Sequence, residues 1–218
     1  MSSEVTGAPP TGDALTPGAR RVLDAAAELF YGRGINAVGV DLIAKQAGVT
    51  KKTLYDRFGS KEALVAAYLR ERDERWRRWL TARVNEAAEA ADLAEVGAPE
   101  QEAARAAVRV LATFDALERW MRRENPRGCG FVNAAAELPD AAHPGRQVIA
   151  DQKRWLRGYL RELCHAASAS DPDTLADELV LLHEGAMVLS GLAIVDAPVR
   201  LARDVAVRAL AQRGVVGT

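Results

Sequence analysis

Residues 40–62 read VDLIAKQAGVTKKTLYDRFGSKE, and this stretch decides the architecture. Val40, Ile43, Ala44 and Ala47 share one face of a short helix spanning about 40–46. Ala47-Gly48-Val49-Thr50 then makes a tight turn that needs glycine's backbone freedom. Thr50 is placed to cap a further helix, from Lys51 to Arg57 or Phe58, and Ser60 caps the next, which opens on Lys61-Glu62. Two short helices joined across a glycine turn make a helix-turn-helix, whose second helix can enter a major groove of DNA. At about 100° per residue, Leu54 and Phe58 point into a core while Lys52 and Asp56 point the opposite way. Thr53 and Tyr55 occupy the flanks.

That outward face carries an ammonium, a hydroxyl, a phenol and a carboxylate, the groups that base edges and phosphates call for. Thr50 and Lys61 sit at helix N-termini, where backbone N–H groups and the positive dipole end favour a phosphate. Charge agrees with this. Residues 18–72 hold ten basic and six acidic side chains, a local +4 in a chain of formal charge −1, so the remainder is −5. A neutral total thus conceals a basic module attached to an acidic body, as a DNA-binding head requires. Taken singly, Lys51, Lys52 and Lys61 read as a solvated basic face and Tyr55 as a half-buried aromatic. The ordered set is what points to DNA.

The rest of the chain reads as helix throughout. With 49% apolar and 27% charged residues among 218, collagen-like, mucin-like and wholly disordered classes are excluded. Alanine, leucine, arginine and glutamate dominate and no alternating pattern occurs, so the expected fold is all-α. Further helices are expected at about 18–32, 100–123, 130–138, 145–168, 172–195 and 198–213. Residues 1–17, rich in Gly, Pro, Ser and Thr, read as a flexible arm. The first 19 residues contain no Lys, Arg or apolar run, so no secretory signal is expected. The longest nearly apolar stretch, Gly185 to Val195, falls short of the roughly 20 residues that span a bilayer, so no membrane partner is expected. Two cysteines, Cys129 and Cys164, fit a reducing cytoplasm and make no disulfide framework. His143, His165 and His183 lie far apart, and no phosphate-cradling loop, nucleophile elbow or dinucleotide fingerprint occurs. No metal, cofactor or enzyme activity is therefore expected, and a catalytic reading would have to rest on Cys129 or His183 alone.

The head resembles the tetracycline-repressor (TetR) family of bacterial transcription regulators. The likeness runs through Ala26-Ala27-Glu28-Leu29-Phe30, Gly34-Ile35, Asp41 to Val49, and Thr53 to Leu64. A weaker likeness covers Gly128 to Leu138. The resemblance implies about nine helices, with a DNA-binding head over about 18–62 and a ligand-binding and dimerisation body over 63–218. It implies a homodimer reading a pseudo-palindromic operator in double-stranded DNA, most often a repressor released by a small molecule. Residues matching Thr50 and Lys61 then contact phosphate, and those matching Lys51, Lys52, Thr53 and Tyr55 contact bases and phosphate, with Asp56 and Arg57 on the same helix. Two positions depart from the common pattern. Gly39 replaces a Ser or Thr cap, and Asp56 places a carboxylate towards DNA, where it must accept from cytosine N4 or pair with Lys52.

In the body, the apolar helices at 172–195 and 198–213 are the expected dimer interface. Ala186, Ser190 and Ala193, and again Ala202, Ala206 and Ala209, form small-residue stripes that permit close helix approach, either between subunits or within one chain. His183 and Glu184 interrupt an apolar run and must meet a partner: a neighbouring helix, the second subunit or a ligand. Trp76, Trp79, Phe114, Trp120, Met121, Phe131, Trp155 and Tyr159, with His183 and Met187, are the candidate lining for an apolar or aromatic effector. The alternative to a DNA reader is a small-molecule-binding dimeric scaffold whose head no longer reads sequence.

Overall fold

A computed structural model describes residues 15–91, 98–124 and 127–215. Among the described residues there are nine α-helices and no strand, as the composition implied. They are α1 Pro17–Arg33, α2 Val40–Ala47, α3 Lys51–Phe58, α4 Lys61–Ala90, α5 Ala98–Glu124, α6 Gly130–Glu137, α7 Pro144–Ala166, α8 Pro172–Leu192 and α9 Pro198–Gln212. The expected arm lies outside the described residues as far as residue 14, and Thr16 caps α1 with Pro17 in its first turn. The chain divides into two compact units. One comprises the described residues up to Glu74 together with Gly130–Ala150, and the other comprises Arg75–Cys129 and the residues from Asp151 onward.

The first unit is built on the apolar face of α1. Val22, Leu23, Ala26, Leu29 and Phe30 are buried there, with Ile43, Ala44 and Ala47 of α2, Leu54 and Phe58 of α3, and Leu64, Val65 and Tyr68 of α4. Phe30 and Tyr68 lie with ring centroids 5.8 Å apart. α2 stops where Gly48 takes the left-handed conformation at φ 63°. The Gly48 N–H then bonds the Lys45 carbonyl (3.2 Å) and the Val49 N–H bonds that of Ala44 (3.0 Å), satisfying carbonyls the helix end leaves free. Arg21 Nε donates to the Ala47 carbonyl at 3.1 Å, and Gln46 Nε2 donates to Glu28 at 2.7 Å. Both tie α2 to α1. α6 joins the same unit through a two-point clasp. Asn36 N–H donates to Glu137 Oε2 (2.8 Å), and Asn36 Nδ2 donates to the Glu137 carbonyl (3.0 Å).

In the second unit α9 packs against α8 and α5, over a core that includes Phe114, Leu117, Leu156, Leu160, Leu175, Leu179 and Leu210. The α9 stripe and Ala186 of the α8 stripe serve this intrachain packing, whereas Ser190 is half-buried. Ala186, Ala202, Ala206 and Ala209 are buried within the single chain, because a helix seated against two others approaches closely only where its side chains are short. α8 also ends earlier than expected, at Leu192, where Ala193 adopts a left-handed φ of 53° and is exposed. Near that end, a Cβ on Gly191 would lie 3.1 Å from Gly128 Cα, so glycine permits the close backbone approach.

Nothing lies within 4 Å of a Cβ built on Gly48, so only backbone strain opposes a side chain there. Gly48→Ala is expected to lower stability in urea unfolding by about 1 kcal/mol. The same change at Gly32, inside α1 with open space around it, is expected not to lower it.

Candidate nucleic-acid interface

The two faces of α3 separate as the helical period demands. Leu54 and Phe58 are buried, whereas Lys51, Lys52, Tyr55, Asp56 and Arg57 are exposed, Tyr55 at 41% although its ring is large and apolar. Thr50 caps the helix: its hydroxyl oxygen accepts from the Thr53 N–H at 3.1 Å and lies 2.9 Å from the Thr53 hydroxyl. Ser60 likewise caps α4, accepting from the Ala63 N–H at 3.1 Å. Gly39 precedes α2 with no side-chain cap.

Two lysines of this surface, Lys51 and Lys52, are already paired. Lys52 Nζ lies 2.7 Å from Asp56 Oδ2, one turn along the exposed face. Lys51 Nζ lies 2.7 Å from Asp41 Oδ1, and the hydrogen bond and charge of Asp41 raise the Lys51 ammonium above its ordinary range. Exposed pairs of this kind contribute little net stability, so a phosphate can displace the carboxylate at little cost. Lys61 differs. Its ammonium donates to the Ile35 carbonyl at 2.7 Å, which ties the start of α4 to the loop after α1 and leaves two of its three N–H donors for other acceptors. Sequence reasoning placed Lys61 by its helix terminus and had no signal for the Ile35 carbonyl, a contact made across 26 residues.

Residues 22–68 match the model of the bacterial regulatory proteins, tetR family, and residues 106–206 match that of the tetracyclin repressor-like C-terminal domain. The chain belongs to the TetR family. It is a DNA-binding transcriptional regulator by that membership, with the helix-turn-helix in its N-terminal part and a helical C-terminal domain. HTH-type transcriptional regulator YjdC of Escherichia coli is 27% identical over 191 residues, covering 84% of this chain and 91% of YjdC. The crystal structure of SCO4454, a TetR-family regulator from Streptomyces coelicolor, superposes with a TM-score of 0.69 at 30% identity, covering 91% of this chain and 96% of that one. HTH-type transcriptional activator FasR of Mycolicibacterium smegmatis is 49% identical over 49 residues, or 22% of each chain.

The residues expected to line an effector site are only partly brought together. Trp120 lies edge-on to Trp76 at 5.4 Å and tilted against Trp79 at 5.9 Å, and Trp79 Nε1 donates to the Ala116 carbonyl at 3.2 Å. Trp155 and Tyr159 stack in parallel at 5.4 Å, with the Arg77 guanidinium over Trp155. Phe114 lies 4.2 Å from the His183 ring. Met187 is buried on the same α8 face as His183, and Phe131 is buried in the first unit. Met121 lines a surface cavity of about 260 Å³ with Glu118, Arg122, Ser190, Ala197, Pro198 and Val199.

His183 and Glu184 have separate partners. Glu184 Oε1 pairs with Lys153 Nζ at 2.7 Å, with both side chains about three-quarters buried. His183 is wholly buried with Nε2 2.9 Å from Thr113 Oγ1. Two participants were missed in the sequence, Thr113 and Gln152, both buried. Each interrupts an apolar helical face, Val110-Thr113-Leu117 on α5 and Ile149-Gln152-Leu156 on α7, and that interruption is the signal that marks them. Burial also pushes the Cys164 thiol up to about 12, which makes it an inert packing residue. Among the described residues no three His, Cys, Asp or Glu gather as metal ligands, and no helix is long and apolar enough to cross a membrane.

Burial, reinforced by the positive charge of Lys153, holds the His183 imidazole neutral, with its pKa lowered to about 3. The unfolded chain therefore binds the extra proton first as pH falls below the ordinary histidine value of about 6.5, and this group's stability contribution declines from there towards about pH 3. The thermal midpoint is expected to fall between about pH 7 and pH 5. Replacing the pair together, with His183→Phe and Thr113→Val, is expected to flatten that decline.

Proposed function

We propose that this TetR-family regulator is a homodimeric repressor that reads a pseudo-palindromic operator with α3 and is released by a small molecule held in its C-terminal part. The head is assigned to about 18–62 and the dimerising, ligand-binding body to 63–218. The observation that carries the reading is the division of α3. Leu54 and Phe58 are buried, and Lys51, Lys52, Thr53, Tyr55, Asp56 and Arg57 are left for bases and phosphates, with Thr50 and Lys61 at the flanking helix starts. Lys52 holds Asp56 in an ion pair, and in the complex this carboxylate restricts the bases that Lys52 and Tyr55 accept.

A two-fold operator requires a two-fold protein, because successive major grooves recur about 34–36 Å apart. The proposed interface is the face of α8 and α9 turned away from the intrachain core. Leu181, Val188 and Leu192 recur along one side of α8 with exposures of 72, 43 and 61%, and Leu201 of α9 is also exposed. Large apolar groups so grouped seek cover. A ligand that favours one spacing of the two heads over the other shifts the population away from the DNA-bound state.

Selection from random duplex DNA by the ligand-free protein is expected to enrich a two-fold symmetric site. Leu181→Asp with Leu192→Asp is expected to yield a monomer by sedimentation and to lose that symmetry. Recovery of the same unstructured pool by wild type and Lys52→Ala would falsify the reader assignment. A promoter fusion carrying the selected site then reports the sign of regulation, and lower expression with the protein present is expected.

A further inference from the structure

The ion pairs between α7 and α8 set these helices antiparallel: Lys153 meets Glu184, Arg157 meets Asp177, and Arg161 meets Asp173. One residue before the first pair stand Gln152 and His183, which this register places within about 3 Å of the same level along the helix axes. Both are interior residues, Gln152 at 3% and His183 at 0% exposure. The Thr113 hydroxyl lies 2.6 Å from the Val110 carbonyl. Its one proton goes there, so Thr113 must accept from His183 Nε2–H across the 2.9 Å contact. That fixes the tautomer and leaves Nδ1 as a bare lone pair.

His183 Nδ1 and Gln152 Oε1 are both buried acceptors with no hydrogen-bond partner. Native interiors rarely leave such groups unpaired, and two at one level of one core call for an occupant. The surroundings restrict it. Phe114 lies 4.2 Å from the His183 ring, which favours a flat aromatic molecule. Lone pairs repel an anion, and the neighbouring Lys153 together with burial disfavours a cation.

We infer that His183 and Gln152 are the polar anchors of the effector site, and that the effector is an uncharged aromatic molecule that donates hydrogen bonds from N–H or O–H to His183 Nδ1 and Gln152 Oε1. This rests on the ligand-responsive reading above and names the ligand class for it. Thr113 positions His183 and does not touch the ligand. Binding requires the interior between α5, α7 and α8 to open enough to admit a ring, a minor state that the ligand makes dominant.

Indole and N-methylindole test this directly, since they differ in the one donor. In calorimetric titration of the full chain, indole is expected to bind about tenfold more tightly than N-methylindole. The nitrogen-15 resonance of His183 Nδ1 is expected to move from a bare to a hydrogen-bonded position with indole only. The double variant His183→Phe, Thr113→Val removes the His183 anchor without leaving Thr113 unpaired and keeps Gln152 Oε1, so it is expected to narrow the difference between the two probes. The inference is overturned if wild type binds both equally, if neither binds at about 1 mM, or if the Nδ1 resonance of the ligand-free protein is already hydrogen-bonded, as an enclosed water would make it. The resonance is read on wild type, so it decides the matter even if the double variant does not fold. Indole that binds as expected without changing operator affinity supports the site and contradicts the ligand-release reading.

Discussion

Burial of Leu54 and Phe58 against α1 and α2 is the constraint on which the outward face of α3, the proposed DNA-reading surface, depends. α3 is only eight residues long, too short to hold its shape alone in water. Its orientation comes from two side chains a turn apart that have nowhere else to go. Once they are inside, Lys52, Tyr55, Asp56 and Arg57 must be outside. The Gly48 turn fixes the angle at which α3 leaves α2, and the Thr50 cap fixes where it begins. None of the outward residues is part of the buried core.

Electrostatics on this surface is arranged for exchange. Lys51 and Lys52 rest against carboxylates in water-exposed pairs, whose small net stability is easily surrendered to a phosphate. Lys61 instead spends one donor on the Ile35 carbonyl, within the loop that Asn36 and Glu137 clasp to α6. Among the basic residues of the head, Lys51 and Lys52 are exposed ions held loosely, whereas Lys61 and Arg21 are tied to backbone carbonyls. Their sum still leaves residues 18–72 at +4, enough to draw a polyanion to this part of the chain.

The head was legible in the sequence because its information is local. Helix period separates Leu54 from Lys52, a glycine ends α2, a threonine starts α3, and the i,i+4 spacing offered Lys52 to Asp56. The C-terminal part was less so, because its determinants are contacts between distant residues. The alanines of α9 are equally consistent with an interface between subunits and with packing inside one chain, and only the positions of α5 and α8 decide for the latter. The eight aromatic and methionine residues looked like one lining, yet the described contacts sort most of them into a tryptophan cluster, a Trp155–Tyr159 stack and a Phe114–His183 pair. His183 announced a need for a partner, and nothing short of the fold could name Thr113. Resemblance to the family supplied the helix count, but no residue of the proposed effector site.

The central claim is that an outward, loosely paired cationic face of α3 reads DNA. Its most direct test is the salt dependence of binding to the selected operator, for wild type and Lys52→Ala. Each neutralised phosphate releases a counterion, so the logarithm of the affinity falls linearly with that of the salt concentration. The expected result is a steep slope for wild type, reduced by about two for Lys52→Ala in a dimer, one for each head. A slope near zero, or one unchanged by removal of Lys52, would contradict the account.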